Sequence, residues 1–247
     1  MSVIKTNPSN IFLTAEWRYL AMLNYEIDPT ALARFVPAGT EMDFWNGKTY
    51  VSLVGFLFQN TRICKIPIPF HRHFEEVNLR FYIRRKSDDG WRRGVVFIKE
   101  LVPQKIIAFV ARKIYNENYV ALPMSHRIET FQAEIKSAAY FWRLNGLENY
   151  LKVATRGNSH LLADGSLQEF ITEHYWGYAR QRDGSTMEYA VEHPRWRIWE
   201  TQTAEFDCDV ASLYGESFCE FLKRPPSSAF LADGSEIKVH KGVKLKA

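Results

Sequence analysis

The sequence predicts an α+β fold that is mainly antiparallel β-sheet with a few short helices, and three observations carry that expectation. Apolar and polar residues alternate with a period of two along many short segments. Asn-Gly and Asp-Gly dipeptides, whose residues tolerate the positive φ of tight hairpins, punctuate those segments. No Pro/Gly/Ser linker or low-complexity tract divides the 247 residues, so the whole chain, 1–247, reads as a single domain. With 46% hydrophobic and 15% aromatic residues, the chain can bury a large core, because each buried ring removes a large area from water.

The elements follow in order. Residues 18–25 are apolar and aromatic and read as a strand. Asp28 is a good N-cap, Pro29 suits the first helical position and Pro37 ends the element, giving a short helix with Leu32, Phe35 and Val36 on one face. Asn46-Gly47 turns the chain into a strand at 48–59. Pro67 and Pro69 make 61–70 a loop. Residues 74–85 are the clearest strand, and Asp88-Asp89-Gly90 turns it into another at 94–101. Ile106, Phe109, Val110 and Ile114 give 105–115 helical spacing. Two or three strands fill 125–155 around Asn145-Gly146. The turn Ala163-Asp164-Gly165-Ser166 opens 167–179, which reads equally as helix or strand. A strand at 195–206, a short helix at 210–222 and a closing hairpin turn at Ala232-Asp233-Gly234-Ser235 complete the chain.

Composition excludes several function classes. The net charge is +4, from 32 basic and 28 acidic residues, and the basic residues are scattered, so no nucleic-acid partner is expected. The three cysteines, Cys64, Cys208 and Cys219, form no C-x-x-C pair, which argues against a disulfide framework or structural zinc. Residues 1–10 lack an apolar leader core, and the apolar stretch 50–58 is too short to cross a bilayer. The expectation is a cytoplasmic protein with no membrane partner. Neither G-x-G-x-x-G, G-x-x-x-x-G-K nor G-x-S-x-G occurs, so no dinucleotide fingerprint, phosphate loop or nucleophile elbow is present, and no cofactor is expected.

The strand at 74–84 carries the candidate site. Period-two alternation places Glu75, Val77, Leu79, Phe81 and Ile83 on one face and Phe74, Glu76, Asn78, Arg80, Tyr82 and Arg84 on the other. A carboxylate, an amide and a guanidinium then stand about 7 Å apart in a row. Arg80 suits a ligand carboxylate, Asn78 a carbonyl oxygen, and Glu76 proton transfer. Read from the strand alone, such a row is more often the solvent face of a half-exposed sheet. His71 and His73 alternate with Glu75, but they border the Pro-rich loop and no third histidine is suitably spaced, so no metal site is expected. His174 and His193, each preceded by Glu and set among aromatics, are candidate ligand-binding residues. Structural packing is the commoner role for such histidines.

The stretch Phe74-Glu75-Glu76-Val77-Asn78-Leu79-Arg80-Phe81-Tyr82 resembles the F-x-E-x-N-x-R-x-Y signature of the YqjF-like proteins, a bacterial family without an established function. Residues 17–44, Glu173-His174-Tyr175-Trp176-Gly177-Tyr178 and Val191-Glu192-His193-Pro194-Arg195-Trp196 resemble it too, in the same order. That family is similar to acetoacetate decarboxylase. The resemblance implies a cone-like closed β-barrel with an internal cavity, a small-molecule ligand and, by analogy, a homo-oligomer. It sets Arg18 at the decarboxylase's active-site arginine and Glu76 at one of its glutamates. Tyr119 and Val120 stand where its lysine pair is expected, and neither makes an imine. No carboxylate lies in 50–58, where its second acidic residue is expected.

These readings converge on Glu76, Arg80 and Tyr119 as catalytic candidates and on Arg18, Asn78, Tyr82, His174 and His193 as ligand-binding candidates. The expected function is a small-molecule enzyme, lyase- or isomerase-like, that acts on an oxo acid or related carbonyl compound by proton transfer without a Schiff base. One alternative is a non-catalytic binding protein for a small acidic or hydrophobic metabolite. Another is a structural or partner-binding protein with no pocket, whose polar row is merely surface.

Overall fold

The apolar run at 18–25 is the centre of a longer strand, β1 (Ile11–Ile27). The computed structural model describes residues 10–67, 72–105, 116, 118–132 and 134–245. Asp28 caps α1 (Pro29–Leu32) by accepting a hydrogen bond from the Thr30 backbone N–H, as the sequence requires. A two-residue strand, β2 (Glu41–Met42), precedes the Asn46-Gly47 turn, where both residues take positive φ, 49° and 76°. The turn leads into β3 (Thr49–Ile63).

The loop expected at 61–70 is corrected in part. β3 runs on to Ile63, turns at Cys64 and Lys65 with φ 49° and 69°, and pairs with β4 (Ile66–Pro67). Pro67 sits at the end of this short outer strand, where it interrupts no central ladder; residues 68–70 lie outside the described residues. The main strand of the candidate site is β5 (Phe74–Ser87), which turns tightly into β6 (Gly90–Val102). Residues 106–115 of the expected helix lie outside the described residues.

The middle of the chain forms β7 (Tyr119–Ala121), β8 (Met124–Phe131), β9 (Glu134–Leu144) and β10 (Leu147–Leu161). The ambiguous segment 167–179 is both things in turn. It begins as α2 (Leu167–Thr172), capped by Ser166, and ends in β11 (Trp176–Arg180). Then come β12 (Thr186–Glu192) and β13 (Arg197–Asp207). The helix expected at 210–222 is broken: Gly215, at φ 99°, separates α3 (Val210–Tyr214) from α4 (Cys219–Leu222). The chain continues through β14 (Ser228–His240) to β15 (Val243–Leu245).

The closing hairpin expected at 232–235 is also corrected, because those four residues lie inside β14. Their Asp-Gly pair serves a bulge. β1 carries one extra residue relative to β3 between Arg18 and Ala21, where Tyr19 takes φ 58°. Opposite it, Gly234 takes φ 80°, and a Cβ there would come 1.9 Å from the Trp17 carbonyl oxygen. Glycine is the residue that allows both the angle and the approach.

The sheet is mainly antiparallel, with parallel pairing of β6 to β11 and to β7. Its strands run in the order β15-β12-β11-β6-β5-β3-β1-β14-β13-β10-β9-β8, and β12 also pairs with β14. The path of pairings from β12 through β5 to β14 thus returns to β12. Core residues occupy both sides of its central strands. Leu53, Val77, Leu79, Phe81 and Tyr140 belong to one buried cluster, while Leu20, Met22, Val54, Phe56, Tyr82, Phe170 and Phe230 belong to a second. The half-solvated sheet that would leave the polar row at the surface is not what forms.

Candidate active site

Burial of the polar face of β5 is the central observation. Glu76 is 3% exposed, Asn78 2%, Arg80 8% and Tyr82 2%. The row lies on the side of the second cluster, between Phe74 and Tyr82. Neighbouring strands seal it. Phe56, Val54 and Ser52 of β3 stand opposite Glu76, Asn78 and Arg80, while Glu100 and Phe97 of β6 stand opposite Asn78 and Arg80. Ionisable groups are almost never so buried without partners or a task.

Glu76 receives one hydrogen bond from Asn78 Nδ2 at 2.9 Å and one from the Tyr119 hydroxyl at 3.3 Å. β7 brings Tyr119 there by pairing in parallel with Glu100. Glu100, 1% exposed, is a second buried carboxylate beside Asn78, and the sequence reading overlooked it. Its signal was an acidic residue ending an apolar strand. The neighbouring Lys99 is opposite Leu79 of the other cluster, donates to the Leu213 carbonyl, and has its pKa lowered by burial.

Arg80 has a different balance. One terminal nitrogen donates to the Ile171 carbonyl at 3.4 Å, and its Nε has no partner. Among the described residues no carboxylate pairs with it. The guanidinium carbon lies 5.9 Å from the centre of the Tyr82 ring. The Tyr82 hydroxyl lies 2.5 Å from Ser52 Oγ, which donates to Asn24 Oδ1 at 2.5 Å. Burial pushes the tyrosine pKa up, so the hydroxyl stays protonated at neutral pH.

His174 joins this group from the chain that follows α2. Its ring is 4.8 Å from Tyr82 and 5.1 Å from Phe170. Nε2 lies 3.1 Å from Asp43 Oδ2, which also accepts from Arg93 Nε at 2.6 Å. Burial alone would raise the Asp43 pKa, but these hydrogen bonds overcome it and hold the carboxyl below its ordinary value. Burial pushes His174 down to about 4. At neutral pH the imidazole is therefore neutral, Nε2 carries the hydrogen given to Asp43, and Nδ1 is a bare, buried acceptor with no partner among the described residues. Asp43, 131 residues away in sequence, gave no local signal of this role.

His193 is near enough for Arg80 to lower its pKa further, after burial has pushed it down to about 4. Its ring stacks on Trp196 at 4.3 Å, and Nδ1 lies 2.9 Å from the Pro194 carbonyl. Trp196 packs edge-on to Trp17 at 6.4 Å. The indole nitrogen of Trp17 is buried without a partner among the described residues.

Arg18 is the exception among the candidates, because the fold sets it apart from the others. It stands opposite Leu57 of the first cluster, whereas the preceding Trp17 stands opposite Phe58 of the second. Its guanidinium pairs with Glu16 Oε2 at 2.6 Å, and the side chain is 34% exposed. The strand bulge explains the miss, since faces counted from Trp17 differ from faces counted from Leu20. His71 lies outside the described residues. His73 is exposed, Glu75 pairs with His126 Nδ1 at 2.7 Å, and no cluster of three or more potential metal ligands occurs among the described residues.

Comparison with known proteins agrees with this architecture. The model of a family described as an uncharacterized conserved protein, DUF2071, matches residues 14–236. The chain is 26% identical over 210 residues to the uncharacterized protein YqjF of Bacillus subtilis (strain 168), covering 83% of this chain and 82% of that one. Among solved structures it is similar to the enduracididine biosynthesis enzyme MppR complexed with pyruvate, with TM-score 0.69, 14% identity, and coverage of 99% of this chain and 93% of that one. It is likewise similar to an acetoacetate decarboxylase-like enzyme from Sphingomonas wittichii RW1, with TM-score 0.68, 10% identity, and coverage of 100% and 99%. Identities this low speak for the fold alone. With a family match across most of its length, the chain belongs to the DUF2071, YqjF-like family, and it has the acetoacetate decarboxylase-like fold.

Proposed function

We propose that this protein is an enzyme acting on a small oxo acid or related carbonyl compound by proton transfer, without a Schiff base. One observation carries the reading: Arg80 is a buried guanidinium with no carboxylate partner among the described residues, placed two residues along its strand from the hydrogen-bonded Glu76–Asn78 pair. Desolvating a charge costs several kcal/mol unless it is compensated, so a ligand anion is the natural complement. In this reading the ring of pairings closed by β12 and β14 is a cone-like barrel, and the polar row lines its interior.

Each group then has a task. Arg80 holds the carboxylate. Glu76, bonded by Asn78 and Tyr119, removes or returns the proton beside the carbonyl, and Tyr119 supports the charge that develops. Tyr82, His174 and His193 form the wall near the anion, and Arg18 drops out of the set. Tyr119 and Val120 occupy the positions where the related decarboxylases are expected to carry lysines, which favours direct proton transfer over imine chemistry. The related MppR has been seen with pyruvate bound, and an oxo acid of similar kind suits Arg80. The same reading keeps the chain a cytoplasmic homo-oligomer of single-domain subunits.

Deuterium exchange from solvent into the C–H beside the carbonyl of 2-oxo and 3-oxo acids, followed by proton NMR, tests the proposal. The wild type should catalyse exchange, and Glu76→Gln should lower the rate by roughly 10²–10⁴-fold, the range for loss of a positioned acid or base. Arg80→Ala should lose binding. Equal behaviour of all three proteins would remove these roles, and a borohydride-trapped adduct would restore a Schiff base. A non-catalytic binding protein is the second reading. It is favoured by the aromatic end of the same interior, where Phe58 stacks on Phe74 at 4.6 Å beside Trp17 and Phe56. Turnover of any bound acid excludes it.

A further inference from the structure

The hydrogen-bonding balance of the candidate site constrains the ligand further. Four buried polar atoms there have no partner among the described residues: the donors Arg80 Nε and Trp17 Nε1, and the acceptors Asn78 Oδ1 and His174 Nδ1. The side chains carrying both acceptors are more than nine-tenths buried. Neither acceptor is interchangeable with a donor. Asn78 gives its Nδ2 hydrogen to Glu76, so the amide oxygen is its other end. His174 gives Nε2–H to Asp43, so Nδ1 offers only a lone pair.

The acceptors flank the guanidinium. Asn78 precedes Arg80 by one same-face position, about 7 Å along the strand. Tyr82 follows it and links the guanidinium, 5.9 Å from its ring, to His174, 4.8 Å from the same ring. A plain oxo acid has only acceptor oxygens once its carboxyl is ionised. Bound at Arg80, it leaves Asn78 Oδ1 and His174 Nδ1 facing atoms that offer no hydrogen. Each such mismatch costs about 1–3 kcal/mol.

We infer that the ligand of this site is an organic acid that also carries a hydrogen-bond donor, a hydroxyl or an N–H group, within reach of Asn78 or His174. The inference rests on the anion-binding reading of Arg80 and narrows it to hydroxylated or amino-substituted acids, an enolisable hydroxy oxo acid included.

Calorimetric titration with butyrate, 2-oxobutyrate and 2-, 3- and 4-hydroxybutyrate tests this, on the wild-type protein first and then on variants. At least one hydroxybutyrate should bind roughly tenfold or more tightly than butyrate, the preference expected when a buried acceptor gains a donor. That preference should shrink to about twofold or less in Asn78→Leu or in His174→Phe, whichever receives the hydroxyl. Equal affinity of the wild type for all five acids, lost in Arg80→Ala, would overturn the donor requirement and leave the anion site standing. If no acid binds more tightly to the wild type than to Arg80→Ala, the anion site falls and the donor requirement falls with it.

Discussion

Arg18 and Arg80 were both candidates for the site, and the fold treats them oppositely. Arg18 is one-third exposed and satisfied by Glu16 two residues away. Arg80 is 8% exposed, with one long hydrogen bond to a backbone carbonyl and no carboxylate among the described residues. An exposed, paired arginine needs nothing more, whereas a buried one without a counter-ion is a standing electrostatic deficit. The lesson is that a basic residue marks an anion site through its unmet demand, and its charge alone does not.

The comparison can be broken by replacing each arginine with methionine, which keeps the length of the stem. Arg80→Met should weaken oxo-acid binding by roughly 30- to 150-fold, the equivalent of about 2–3 kcal/mol for a charged hydrogen bond, and Arg18→Met should change it by less than about twofold. Comparable losses in both titrations would end the distinction. Stability should run the other way. Removing an uncompensated buried charge for an apolar group of similar volume is neutral to stabilising by about 1–4 kcal/mol, so unliganded Arg80→Met should melt no lower than the wild type, and by several degrees higher if the gain is realised.

A pH series sharpens the picture of the wall. His174 and His193 have folded-state pKa values of about 4, against an ordinary 6.5. Both therefore favour the neutral form in the folded protein, and the unfolded chain binds more protons between these limits. Stability is fully present above pH 6.5 and is lost as pH falls toward 4. Melting temperature should decline over that window, and His193→Phe should flatten the decline. A profile unchanged by the substitution would show that His193 titrates normally. The smallest effect belongs to the exposed pair: Glu16→Gln should cost no more than about 1 kcal/mol in denaturant unfolding, and less in high salt.

Much of the fold was legible because period two is a local property. The strand at 74–85, the Asp28 cap and the Asn46-Gly47 turn lie where the sequence put them. The turn at 232–235 failed because Asp-Gly signals positive φ, and a bulge within a strand uses that freedom as well as a hairpin does. The site was legible along β5 and not across it. Glu76, Asn78, Arg80 and Tyr82 share a strand, so counting by twos groups them. Glu100 and Asp43 join the same buried group from β6 and from the segment after β2, and only long-range contacts bring them there. Whether the row faced solvent depended on what covers it, a long-range property that no alternation pattern encodes.

The extra residue at Tyr19 has a consequence for how such a site changes between relatives. Before it, Leu13, Ala15 and Trp17 share the second cluster; after it, Leu20 and Met22 do. β14 follows with its own Gly234 kink, so both strands swap sides together. A chain of this fold that lost the kink from both strands, with the later half held in place, would turn Glu16 and Arg18 to the side of the second cluster and Trp17 away from it, with no substitution at any of those positions. Length variation at one point of a β-ladder can thus install or retire a pair of charges as effectively as mutation.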